Sequence, residues 1–272
     1  MNRLFVANKP TGISSNHFLN TLKRKYGVKK AGFSGTLDPF ASGNLLIAFG
    51  NYTHFFRFFD LEPKIYEATI WLGAKSESLD NQNIDKIDIL KPFDKNLLED
   101  VRAEILGEVK YNPPKFSAKK INGMRAYKLA RKGEDFDVPT QNMQIFKSEI
   151  LNYSHPFLNI KIWVSKGAYA RSYAQIFAEK LGVNATLSAL KRVKEGSFCY
   201  EDEKALNPLE FLTLKENFYI GDESDIELGK ILNAQNFKNS NDGKYIVKTA
   251  NFYSIIEISN GEVKYLLNRI EI

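Results

Sequence analysis

Cysteine occurs once in the 272 residues and histidine three times. The single Cys199 excludes an intrachain disulfide and fits a reducing compartment. With no histidine near it in sequence to activate the thiol, it is expected to be a partly buried small side chain. His17, His54 and His155 stand apart, without the spacing of a metal site, so no metal is expected. Hydrophobic residues make up 43% of the chain, too many for a disordered segment, yet they never run to the roughly 18 a membrane helix needs, so no bilayer span is expected. The apolar burst before Ala7 is too short for a signal peptide and reads as a strand followed by a turn, which together with the lone cysteine points to the cytoplasm. Internal repeats and low-complexity tracts are missing as well.

Acidic residues are absent from two stretches, and these gaps say more than the net charge of +6. Before Asp38 there is no acid at all, against Arg3, Lys9, Lys23, Arg24, Lys25, Lys29 and Lys30. From Val109 to Gly133 there is again none, while Lys110, Lys115, Lys119, Lys120, Arg125, Lys128, Arg131 and Lys132 alternate with Tyr111, Phe116 and Tyr127. Cations interleaved with aromatics suit phosphate contact and base stacking. A lone charge run is more often a solvated face, but two in one chain favour a nucleic-acid partner. From Glu210 onward seven Lys/Arg face ten Asp/Glu, which leaves 31 against 22 in the first 209 residues. The binding surface therefore belongs to the N-terminal part.

The pattern along that part predicts a mixed α/β domain of the α+β type, with a largely antiparallel sheet. Strands are expected at Lys64 to Leu72, where Tyr66, Ala68, Ile70 and Leu72 share a face, and at Leu158 to Val164, where alternate residues are apolar. Ser15 is expected to cap a helix carrying Phe18, Leu22 and Tyr26 and ended by Gly27. A second helix should open after Asp94 and bury Leu97, Val101 and Ile105 before Gly107. A third should follow Lys166-Gly167 and carry Arg171, Tyr173 and Phe177 to Gly182. Pro113-Pro114 and Asn122-Gly123 predict a projecting hairpin and then a helix through Leu129. Asn207-Pro208 marks a boundary, so the expected division is 1–209 and 210–272, the latter a small, mainly β module with a hairpin at Asn260-Gly261.

One carboxylate lies in a string of small and turn-forming residues, Gly32-Phe33-Ser34-Gly35-Thr36-Leu37-Asp38-Pro39-Phe40-Ala41-Ser42-Gly43. On its own an Asp-Pro in a glycine-rich turn is an ordinary loop. The longer string resembles the hallmark of the TruB family of transfer-RNA pseudouridine synthases, and four further segments resemble that family in the same order. These are Lys9-Pro10-Thr11-Gly12-Ile13-Ser14-Ser15, Lys64-Ile65-Tyr66, Pro113 to Ala118 with Tyr127 and Ala130-Arg131, and Ser165-Lys166-Gly167-Ala168-Tyr169-Ala170-Arg171. The resemblance spans about residues 9 to 192.

The resemblance implies a pseudouridine-synthase catalytic domain over 1–209 with an RNA-binding insertion around 109–133, and a reduced PUA-like module in 210–272. It implies a transfer-RNA substrate modified in its T loop, no cofactor, and no obligate protein partner. Asp38 would serve the reacting sugar, as carboxylates do in glycosidic chemistry, through a covalent adduct or by elimination to a glycal. Arg171 would pair with it through a bidentate contact and keep it ionised. Tyr66 would stack on the extruded uracil, Tyr169 and Leu190 would line its pocket, and Asp80 would anchor the loop after the Tyr66 strand. Lys119 and Lys120 would meet phosphates, while Lys9 would serve as a structural or phosphate contact. Phe33 stands where the family commonly has histidine. It can wedge into the stack that a flipped base vacates or face the core and anchor the loop. A non-catalytic RNA-binding protein or folding chaperone would use the same basic surface, but would have no need of an arginine-paired carboxylate.

Overall fold

The computed structural model describes residues 1–271 and divides into two compact units. The larger comprises Phe5–Ile47 and Leu61–Ala205; the smaller comprises Met1–Leu4, Ala48–Asp60 and the chain from Leu206 onward.

The larger unit is built on strands β1 (Arg3–Lys9) and β2 (Ser42–Phe49), less the ends Arg3–Leu4 and Ala48–Phe49, together with β3 (Lys64–Leu72), β4 (Gly107–Tyr111), β5 (Gln141–Ser154), β6 (Phe157–Val164) and β7 (Ala185–Glu195). They lie in the order β1-β2-β7-β3-β6-β5-β4, and the short strand Ala31–Phe33 also pairs with β2. Pairing is antiparallel from β7 across to β4, whereas β7 meets β2 in parallel at Lys191–Ser42 and Arg192–Gly43. The strict two-residue alternation of β3 buries Lys64, Tyr66, Ala68, Ile70 and Leu72. Its partner β6 buries Leu158, Ile160, Ile162 and Val164.

Helices α1 (Ser15–Lys25), α2 (Lys95–Glu104), α3 (Ala126–Arg131) and α4 (Ala170–Lys180) belong to the same unit. Tyr173 and Phe177 of α4 are fully buried in the core with Leu98 and Val101 of α2 and the inner face of β3 and β6. Full burial of such a side chain contributes about 1.5 to 3 kcal/mol, and the one polar atom Tyr173 brings inside is satisfied by Ser148 Oγ at 2.7 Å.

Three local expectations are corrected. Ser14, not Ser15, caps α1 by accepting from the His17 N–H at 3.1 Å. Ser15 is drawn inward, and the buried face is Ser15, Leu19 and Leu22. In α2 Val101 and the C-cap Ile105 are buried as expected, but the first turn buries Leu98 and leaves Leu97 exposed. Cys199 is exposed, because Phe198 takes the inward direction and its extended neighbour points out.

In the basic stretch, Lys120–Ile121 pairs with Met124–Arg125 about a turn in which Asn122 and Gly123 take positive φ, and α3 follows. The smaller unit holds a four-stranded sheet, β8 (Lys215–Asn217), β9 (Gly243–Lys248), β10 (Phe252–Ser259) and β11 (Glu262–Glu271), with Asn260-Gly261 turning the last hairpin. No described helix is long and apolar enough to cross a membrane.

Candidate active site

Asp38 lies on a loop held from both of its flanks. On the C-terminal side, the backbone N–H of Gly12 donates to the Pro39 carbonyl at 2.7 Å. On the N-terminal side, Ser15 Oγ donates to the Leu37 carbonyl and accepts from the Leu37 N–H, both at 2.9 Å. Lys9 is fully buried, and its ammonium donates to the carbonyls of Pro10 at 2.8 Å, Ile13 at 2.7 Å and Pro39 at 3.5 Å. Burial pulls Lys9 down to about 8, against the opposing pull of Asp38. Lys9 thus ties the loop to the turn before α1. Its structural role is visible, and a phosphate has no access to a side chain with no exposed surface.

Arg171 enters from the first turn of α4 and is 2% exposed. Its Nη2 reaches Asp38 Oδ2 at 2.8 Å and is shared with the Phe116 carbonyl at 2.9 Å, while Nη1 donates to the Ser78 carbonyl at 2.7 Å. The expected bidentate pairing is therefore replaced by a guanidinium spread over three segments, which locks its plane more firmly than one carboxylate would. Asp80 secures one of those segments, its Oδ1 accepting from Ser78 Oγ at 2.6 Å and the Gln82 N–H at 3.0 Å.

The Asp38 carboxyl sits above its ordinary value. Burial is the largest cause, and the Asp80 charge adds to it; Arg171 and Lys9 oppose the rise without cancelling it. The arginine therefore limits the shift where the sequence suggested that it would dominate. The Asp38 side chain keeps 29% of its surface open, on a cleft of about 410 Å³.

Tyr66, Tyr169, Leu190, Lys119 and Arg171 line the same cleft, together with Lys64, Gln141 and Lys166. Tyr66 and Leu190 are buried on β3 and β7. Tyr169 is half-buried, which pushes its phenol up, and its ring packs at 6.3 Å against Tyr111. Tyr111, counted above among stacking aromatics of the basic stretch, is instead 5% exposed and donates to the Gly167 carbonyl at 2.9 Å, so it props the cleft wall. Lys120 is exposed on the hairpin next to Lys119. Phe33 is half-buried at the end of its short strand. Among residues the sequence did not flag, Gln141 carries no local signal, and Ser15 was taken for a cap. A larger concavity of about 690 Å³, lined by Asn81, Asn152, Asn159 and Ser188 among others, holds none of Asp38, Arg171 or Tyr66. No group of three His, Cys, Asp or Glu among the described residues could hold a metal ion.

With this geometry in place, the sequence model of TruB family pseudouridylate synthase (N terminal domain) matches residues 23–170. The chain is similar to tRNA pseudouridine synthase B of Campylobacter curvus, with 59% identity over all of this chain and 99% of that protein. It is also similar to tRNA pseudouridine synthase B of Sulfurimonas denitrificans, with 47% identity over the full length of both. In fold it resembles a chain of a Cbf5-Nop10-Gar1 complex, with a TM-score of 0.69 and 17% identity over 98% of this chain and 85% of that one.

Proposed function

The chain belongs to the TruB family of pseudouridylate synthases, and from that footing we propose that it isomerises a T-loop uridine of transfer RNA to pseudouridine, with Asp38 as the catalytic carboxylate. The observation that carries the residue assignment is the Arg171–Asp38 pair at 2.8 Å, set in a cleft with Tyr66 and Leu190.

The reaction breaks the N1–C1′ bond, turns the uracil and joins C5 to C1′. N1 gains the proton that C5 loses, so no electron pair or group is supplied from outside. Because C1′ is inaccessible in a stacked loop, the uridine must first be extruded into the cleft. There Tyr66 stacks on the base, Leu190 and Tyr169 bound it, and Asp38, aimed by Arg171, supports positive character at C1′. A carboxylate whose orientation is fixed before the substrate arrives needs no reorganisation at the moment of reaction.

Lys119 and Lys120 bind phosphates at the cleft mouth, and Phe33 fills the stack that the flipped base leaves. Residues 210–272 act as a reduced PUA-like RNA-binding module, and transfer RNA as substrate implies a cytoplasmic location. The test is incubation of purified protein with unmodified transfer RNA, without additives, followed by derivatisation and sequencing. A single pseudouridine in the T loop is expected; a transfer RNA left unmodified at that loop rejects the proposal.

A further inference from the structure

Further along the N-terminal flank of Asp38, beyond Leu37, lies an ionic cluster that the chemistry above does not use. Lys64, Arg192 and Glu195 have side chains 10%, 0% and 1% exposed. Glu195 is the hub: its Oε1 lies 2.9 Å from Lys64 Nζ, and its Oε2 accepts from Ser34 Oγ at 2.6 Å and lies 3.5 Å from Arg192 Nη2. Arg192 donates through Nε to the Asn44 carbonyl and through Nη2 to the Gly35 carbonyl, each at 2.9 Å. Lys64 precedes Tyr66 by two residues on β3, and Arg192 follows Leu190 by two on β7. The strands that carry two walls of the cleft therefore carry the cluster too.

The cluster closes around Gly35, three residues before Asp38. A Cβ added there would fall 2.5 Å from Lys64 Nζ, 2.6 Å from Glu195 Oε1 and 3.1 Å from Arg192 Nη1, and the residue's φ of +48° already favours glycine. Taking two cations and an anion out of water is costly, and apolar residues of similar volume are often as stabilising or more so. What apolar packing lacks is direction. The Ser34 hydroxyl and the Gly35 carbonyl are both hydrogen-bonded to the cluster, so the loop itself completes the charge arrangement. Lys9 holds Pro39 on the far side, and Ser15 holds Leu37 between the cluster and Asp38, so Asp38 is fixed from both ends.

We propose that Glu195, together with Lys64 and Arg192, positions Asp38, setting the placement of the Ser34-Gly35 segment and so acting on the chemical step and not on RNA binding. This rests on the assignment of Asp38 as the catalytic carboxylate. A displacement of the carboxylate by an ångström would misalign it with C1′, and errors of that size cost up to about 100-fold in rate.

The test compares Ser34→Ala, Gly35→Ala, Glu195→Gln and Asp38→Asn by single-turnover pseudouridine formation at saturating enzyme, transfer-RNA Kd and melting temperature. Glu195→Gln strands buried cations and Gly35→Ala strains the backbone, so either can lose folded protein; Ser34→Ala removes only the hydroxyl link and keeps the test decisive. The expected result is a rate constant per folded molecule reduced about 10-fold in Ser34→Ala and up to about 100-fold in Gly35→Ala and Glu195→Gln, with Kd within about twofold of wild type. Wild-type rate constants in the folded Ser34→Ala protein, with Asp38→Asn inactive, overturn the positioning role and leave Asp38 in place. Near-normal turnover by Asp38→Asn overturns both.

Discussion

The floor of the cleft and the basic hairpin beside it use cations in opposite ways. On the floor, Arg171 is 2% exposed and divides its donors among Asp38 and the carbonyls of Ser78 and Phe116. On the hairpin, Lys120 is exposed and Lys119 half-exposed, and neither lies within salt-bridge distance of a carboxylate among the described residues. Lys115 and Lys132 do find partners, Asp135 and Glu134, which stand just beyond the acid-free stretch. A cation fixed in a dry site orients a reacting group and has little freedom left for anything else. A wet, flexible one draws phosphate from a distance and is screened by salt. The floor should therefore control rate and the hairpin affinity.

The largest effect expected is from Asp38→Asn, which keeps the volume and removes the charge. Turnover should fall by about 10³-fold or more while transfer-RNA Kd stays within a few-fold, checked by single-turnover kinetics and filter binding. Next, Lys119→Ala with Lys120→Ala should weaken binding about 10-fold and flatten the slope of log K against log salt by about one per lost phosphate contact. An unchanged slope places those lysines away from RNA.

A smaller effect is expected in the pH dependence. The folded Asp38 pKa is raised above 3.8, so ionising it costs stability as the pH climbs through that raised value, and the active carboxylate is lost as the pH falls through it. The acid limb of the rate profile should therefore lie above the ordinary carboxylate value. Asp80→Asn, which can still accept from Ser78 and Gln82 but removes a like charge, should move the limb to lower pH. A limb that stays in place or moves up contradicts the electrostatic reading of Asp80. The smallest effect expected is that of Phe33→Ala, which should slow intact transfer RNA about 5- to 10-fold more than a pre-opened stem-loop, as loss of one stack would. Equal slowing of both substrates with a lowered melting temperature would make Phe33 a packing residue.

The sheet strands were legible because one face of each is buried and the other is not, which writes a period of two into β3 and β6. Helix phase was less legible. Ser14 and Ser15 are chemically equivalent caps, and only the pull of Leu37 on Ser15 decides between them. Leu97 and Leu98 both fit an apolar stripe, and docking of α2 on the sheet selects the second. At the site, ordered motifs pointed to Asp38, Tyr66, Arg171, Tyr169 and Leu190, and the fold brings all five to one cleft. The sharing of Arg171 with two backbone carbonyls was not legible, since it depends on loops more than fifty residues away in sequence. Nor was Glu195, because a glutamate at a strand end reads as a solvated residue until Ser34 and Lys64 close over it.

The most direct test of the division between floor and hairpin is a crossed single-turnover experiment on one unmodified transfer RNA, with enzyme raised to saturation for Asp38→Asn and for the Lys119→Ala, Lys120→Ala pair. The predicted result is that Asp38→Asn holds the RNA without forming pseudouridine, while the hairpin variant, once saturated, forms it at the wild-type rate. Pseudouridine from Asp38→Asn at near-normal rate, or a hairpin variant that stays slow at saturation, would contradict the account.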